Sequence, residues 1–160
     1  MKEERIPAAR NQQDKASQAL EALQAALGDR LLAVVLFGSR ARGESSAGSD
    51  WDLLVIASAL PDKPFPRHLF LKSLLPPGCR GAVSLLARTP EEFEAHLASI
   101  HLEIALDGQV LYDPMGYAAD RLGHLLELIN DAGLYRERVE AGTVWRWSNG
   151  PGHWPLAWGS

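Results

Sequence analysis

The spacing of apolar positions divides the chain into helices and strands. From Asp14 to Leu27, the residues Ala16, Leu20, Leu23 and Leu27 recur at helical spacing, and Gly28 follows where a left-handed cap is favoured. Leu31 to Phe37 is an unbroken aliphatic run stopped by Gly38, which predicts a strand buried on both faces. A Gly- and Ser-rich stretch, Arg42 to Ser49, reads as a loop, and a second apolar run from Trp51 to Ile56 predicts a neighbouring strand. Pro61, Pro64 and Pro66 precede a short helix around His68 to Leu75, which Pro76, Pro77 and Gly78 end; a third strand is expected at Ala82 to Ala87.

Thr89 is placed to cap a helix whose first position is Pro90, with Glu92 closing a capping box. Phe93, Leu97, Ile100 and Ile104 carry that helix on to Gly108. Gln109 to Tyr112 follows as a short strand, and Ala118, Leu122, Leu125 and Ile129 mark a long helix ended by Gly133. Beyond Gly133 lie four tryptophans, Trp145, Trp147, Trp154 and Trp158. The turn-rich Asn149, Gly150, Pro151 and Gly152 suggest a hairpin in which Thr143 to Ser148 pairs with Trp154 to Trp158. The expected layout is an α/β (α+β) body over residues 1–133 and a Trp-rich appendage over 134–160. The indoles serve either to pack the hairpin on the body or to meet a partner.

Composition narrows the functional classes. With 160 residues, one domain with its own core is expected. A net charge of -4 disfavours a protein that grips nucleic acid over its whole surface, because that grip needs many Lys and Arg contacts to phosphate. The polar N-terminal residues do not read as a secretory signal, no apolar run is long enough for a membrane helix, and the lone Cys79 permits no internal disulfide, so a cytoplasmic setting is expected. His68, His96, His101, His124 and His153 lack paired metal-ligand spacing.

The chemistry concentrates in Phe37 to Val55, FGSRARGESSAGSDWDLLV. Gly38 lets the backbone come close to a ligand at a strand-to-helix turn, where free N–H groups favour an anion. Ser39 adds a hydroxyl donor, and Arg40 and Arg42 add charge suited to phosphate oxygens. Asp50 and Asp52, two apart at the head of a strand, project from one face and can share a cation, with Trp51 turned away. Magnesium is commonly held by one or two carboxylates together with substrate phosphates. An EF-hand calcium loop is a poor alternative, since its further oxygen ligands, central Gly and terminal Glu are missing.

Gly38, Ser39, Asp50 and Asp52, with Ala41, Arg42, Gly43, Glu44, Leu53 and Leu54 around them, resemble the minimal nucleotidyltransferases of the DNA polymerase β superfamily, whose signature is Gly-Ser, about ten residues, then Asp-x-Asp. In element order the resemblance covers Leu20 to Asp113, and only Phe37 to Val55 is specific. It implies a mixed sheet with helices on one side and Mg2+·NTP bound at Ser39, Asp50 and Asp52. It further implies NMP transfer, AMP above all, to a hydroxyl of a protein partner, often an all-helical HEPN toxin that the transferase counters as antitoxin. A homo-oligomer is also open, as is a catalytically weak antitoxin that acts by contact. One position departs from the pattern: the third carboxylate expected on the third strand is Ser84, so a two-metal site would lack a charged ligand. Glu103 and Asp107 are candidate substitutes from elsewhere in the chain.

Overall fold

The computed structural model describes the backbone of residues 7–148 and the side chains of residues 15–148. Helix α1 (Pro7–Leu27) leads through a single 3-10 turn into strand β1 (Leu31–Phe37), the five-residue helix α2 (Gly38–Arg42) and strand β2 (Trp51–Ala57). Helices α3 (Pro64–Leu74) and α4 (Pro77–Arg80), strand β3 (Val83–Arg88), helices α5 (Pro90–Ala95) and α6 (Ser99–Asp107), strand β4 (Gln109–Tyr112) and helix α7 (Tyr117–Asp131) follow. Strands β5 (Leu134–Val139) and β6 (Gly142–Trp147) close the described chain.

The four-stranded sheet has the order β3-β2-β1-β4 and is mixed: β1 runs antiparallel to β2 and β4, whereas β2 and β3 are parallel. The expected mixed sheet is present, but its helices lie on both faces rather than one. The two aliphatic strands require this, because alternate residues point to opposite sides. Leu53, Val55 and Ala57 join Leu23, Leu27 and Leu71 of α1 and α3 in one core, while Leu54 and Ile56 join Phe93, Ile104, Leu122 and Leu125 of α5, α6 and α7 in the other.

Two local expectations change. The single helix expected from Pro90 to Gly108 is broken: His96 and Ala98 are extended, and α6 starts afresh at Ser99. The capping box of Thr89 and Glu92 forms as expected, with Thr89 N–H donating to Glu92 (3.0 Å) and Glu92 N–H to Thr89 Oγ1 (3.2 Å). What interrupts the helix is His101, whose buried ring packs 4.7 Å from that of Phe93 and whose Nδ1 accepts the Ala98 N–H at 3.4 Å. Second, the strand expected at Thr143 to Ser148 is β6, but its partner is the upstream β5, joined through the two-residue turn at Glu140 and Ala141. The expected partner, Trp154 to Trp158, lies outside the described residues. The LYRERV run of β5 hides its strand character because charged residues occupy it on both faces.

Burial lowers the His101 imidazole to about 4, with the Arg88 charge as a lesser cause and the His96 backbone opposing. The neutral form is thus the folded form, and the unfolded chain takes up the proton first as pH falls. Stability should therefore decline between about pH 6.5 and pH 4, by up to a few kcal/mol in an order-of-magnitude sense. Urea unfolding across this interval should show that slope, and His101→Phe should flatten it.

Candidate nucleotide site

The site is built where β1 ends. Gly38 has φ +73°, a left-handed conformation suited to glycine, and an added Cβ would overlap Asp52 Oδ2 and stand 3.2 Å from Asp52 Cγ. The turn leaving β1 thus lies directly against the carboxylate at the head of β2. Register explains the proximity, since Phe37 is the Cα partner of Asp52 across the antiparallel ladder. Phe37, at the start of α2, supplies no side-chain cap.

Ser39 is half-buried in α2, Asp50 is exposed just before β2, and Asp52 is half-buried within it. Burial raises the Asp52 carboxyl above the ordinary carboxylate range, the Asp50 charge raises it further, and the Arg42 charge opposes both. A carboxyl raised by burial and by a neighbouring acid is an electrostatic condition that a bound cation relieves. Across the parallel ladder, Ser84 is the Cα partner of Asp52. The position that the sequence pattern reserved for a third acid therefore stands beside Asp52 and carries an exposed hydroxyl.

The arginines of the motif are engaged within the protein. Arg40 donates to the Ser49 carbonyl from Nε (3.1 Å) and Nη2 (2.7 Å), and its guanidinium lies 4.4 Å above the Trp51 ring. It thereby fastens the loop that presents Asp50. Arg42 pairs with Glu44 at 3.0 Å and Asp107 at 3.6 Å. Glu103 and Asp107, the candidate substitutes for the missing acid, are both clamped by Arg136 of β5, Glu103 at 2.6 Å and Asp107 through both guanidinium nitrogens. The Arg136 hydrogen bond holds the Asp107 carboxyl below its usual range, and Glu103 also accepts Trp145 Nε1–H at 3.1 Å.

Sequence reasoning missed this tether. Arg138 of β5 pairs with Glu44 at 2.6 Å across 94 positions, and no local pattern signals such a contact. Among the described residues, no cluster of three or more His, Cys, Asp or Glu side chains is arranged to hold a metal. No helix among them is long and apolar enough to cross a membrane.

An α/β sheet of this kind, with a Gly-Ser turn against paired acids, defines a class of nucleotide-handling domains, and comparison with known proteins makes the class specific. Residues 21–113 match the family described as "Polymerase beta, Nucleotidyltransferase", so the chain belongs to that family of nucleotidyltransferases. A Methanocaldococcus jannaschii protein, named by inference a protein adenylyltransferase, is 48% identical over 48 residues, covering 30% of this chain and 33% of the relative. The matched stretch thus spans about one third of that curated relative's length.

Among solved structures, a chain of a mutant MntA–HpeT toxin–antitoxin complex aligns with TM-score 0.50 and 16% identity, over 72% of this chain and 90% of its own, and shares the fold. A toxin–antitoxin structure with AMP-PNP gives TM-score 0.49 and 18% identity, over 71% and 89% of the two chains. A complex of the tri-AMPylated Shewanella oneidensis HEPN toxin with its MNT antitoxin gives 0.48 and 17%, over 75% and 91%.

Gly38→Ala should combine the strain of a left-handed alanine, about 1–3 kcal/mol, with displacement of the Asp52 carboxylate. The expected result is a lower urea midpoint together with loss of metal-dependent nucleotide uptake by calorimetry. Asp50→Asn should lower the Asp52 pKa toward the ordinary value, read by carboxyl NMR titration; an unchanged value would assign the whole shift to burial.

Proposed function

We propose that this protein is a Mg2+-dependent nucleotidyltransferase that moves NMP, with ATP as the first-choice donor, to a hydroxyl of a protein partner. The observation that carries this reading is the contact of the Gly38 turn with Asp52, which sets a phosphate-accepting backbone beside two acids. The short sequence match to a protein named as an adenylyltransferase supports AMP and a protein acceptor. On this reading residues 1–133 are the transferase body and 134–160 its appendage.

Gly38 gives the triphosphate close access to backbone, Ser39 donates its hydroxyl to a phosphate oxygen, and Asp50 and Asp52 hold Mg2+ together with the phosphates. When bound, that ion neutralises charge on the phosphates and on the departing pyrophosphate. The acceptor oxygen bonds to the α-phosphorus as the bond to the pyrophosphate oxygen breaks, and the hydroxyl proton passes to solvent or a nearby base. Arg40 acts on the site indirectly by fixing the loop before Asp50. Arg42 faces phosphate only after leaving Glu44 or Asp107, which makes it a charge released to the substrate.

A second reading is favoured by Ser84: an antitoxin that binds nucleotide but acts on a HEPN-type helical partner mainly by contact. A second metal ion would lack a carboxylate at that strand position, so nucleotide binding withstands the change better than turnover does. Incubation with α-labelled ATP, Mg2+ and the neighbouring gene's product separates the two. Label on the partner supports transfer, and partner neutralisation that survives the double change Asp50→Asn and Asp52→Asn supports contact. Ser84→Asp should raise the transfer rate, by about 10²-fold or more if the carboxylate then takes the acceptor proton, with little change in nucleotide affinity. An unaltered rate would show that this position takes no part in the chemistry.

A further inference from the structure

A cavity of about 570 Å³ lies beyond Ser84 at the outer edge of β3, between α3 on one side and the α5–α6 turn on the other. Its volume falls in the range of ligand sites. Arg67, His68, Leu85, Ala87, Arg88 and His101 are among the residues that line it.

The floor of the cavity is a sheet edge with one open rung. Among the described residues β3 has β2 as its only neighbour in the sheet, so alternate backbone groups face outward. The Trp51 N–H donates to the Ala82 carbonyl, which turns the even residues toward β2 and the odd ones outward. The outward carbonyls at both ends are capped: Lys72 Nζ donates to Val83 O, while Arg67 Nη1 (3.3 Å) and Arg88 Nη1 (2.8 Å) donate to Ala87 O. Between them, no hydrogen bond among the described residues reaches the outward N–H and C=O of Leu85. A second polar group in the lining is also unmet: His101 is 2% exposed, its Nδ1 accepts the Ala98 N–H, and its Nε2 has no partner among the described residues.

We propose that this cavity docks an extended segment of the acceptor polypeptide, which exchanges a pair of backbone hydrogen bonds with Leu85; the assignment rests on the transferase reading above. A free N–H and C=O on one strand residue are what an antiparallel peptide residue satisfies. The caps at Val83 and Ala87 limit the pairing to that single rung, which suits a transient substrate rather than a permanent added strand. The residue next to the paired one then stands opposite Ser84 and shares a sheet face with Ser84 and Asp52. Strands are spaced about 4.8 Å apart, so a long hydroxyl-bearing side chain such as tyrosine spans from there toward the acids, whereas serine falls short.

The test uses the full chain, 15N-labelled, and the probe acetyl-Thr-Val-Tyr-Val-Thr-amide at millimolar concentration without nucleotide. The Leu85 and Ala87 amide signals should shift on titration, and His68→Trp, which fills the cavity from an exposed position on α3, should weaken the response about tenfold or more. A probe N-methylated at its first valine, the residue that pairs with Leu85 when the tyrosine stands opposite Ser84, should fail to shift them. Absence of shifts with the parent probe, or equal shifts with the N-methylated one, overturns the proposal. AMP alone moving the same two amides also overturns it, by making the cavity a base pocket. A separate titration with Mg2+·ATP, followed at Gly38 and Ser39, reports on the transferase reading, so the two can fail independently.

Discussion

The close approach of Gly38 to the Asp52 carboxylate is the constraint around which the site is organised. It exists because β1 and β2 are paired antiparallel with Phe37 opposite Asp52, so the residue leaving β1 must turn just where the acid stands. Only a residue without a side chain fits, and its left-handed backbone starts α2. The Gly38 turn and the acidic pair are thus products of one strand pairing, and neither can move without the other.

That pairing is held by burial on both sides. Val34 and Leu53 belong to the core under α1 and α3, whereas Val35 and Leu54 belong to the core under α5, α6 and α7. A site at the strand ends inherits the rigidity of this doubly covered sheet, as preorganised chemistry requires. The loop from Gly43 to Asp50 lies outside either core, and its hold is polar: Arg40 binds its carbonyls and rests on the Trp51 ring.

The β5–β6 hairpin lies beyond the matched family region, yet it meets the site through charge. Arg136 clamps Glu103 and Asp107, Arg138 reaches Glu44, and Arg42 sits between Glu44 and Asp107. This network engages both Glu103 and Asp107. It links the position of the hairpin to the partners of Arg42.

The sequence by itself determined the elements whose cause is local. The aliphatic runs of β1 and β2 and the cap of Thr89 and Glu92 each follow from residues within a few positions of one another. The Gly-Ser and Asp-x-Asp spacing could be read because both halves flank a single strand pair, and Ser84 could be placed because β3 pairs with β2 in simple register. Only the tertiary structure decided the rest. Helices cover both faces because two strands are apolar on both. The helix after Thr89 breaks because the buried His101 ring, packed on Phe93, spends its Nδ1 on the Ala98 N–H. Arg42, Glu103 and Asp107 take partners from distant segments, and a charge seen alone in a sequence does not reveal which opposite charge the fold will bring to it.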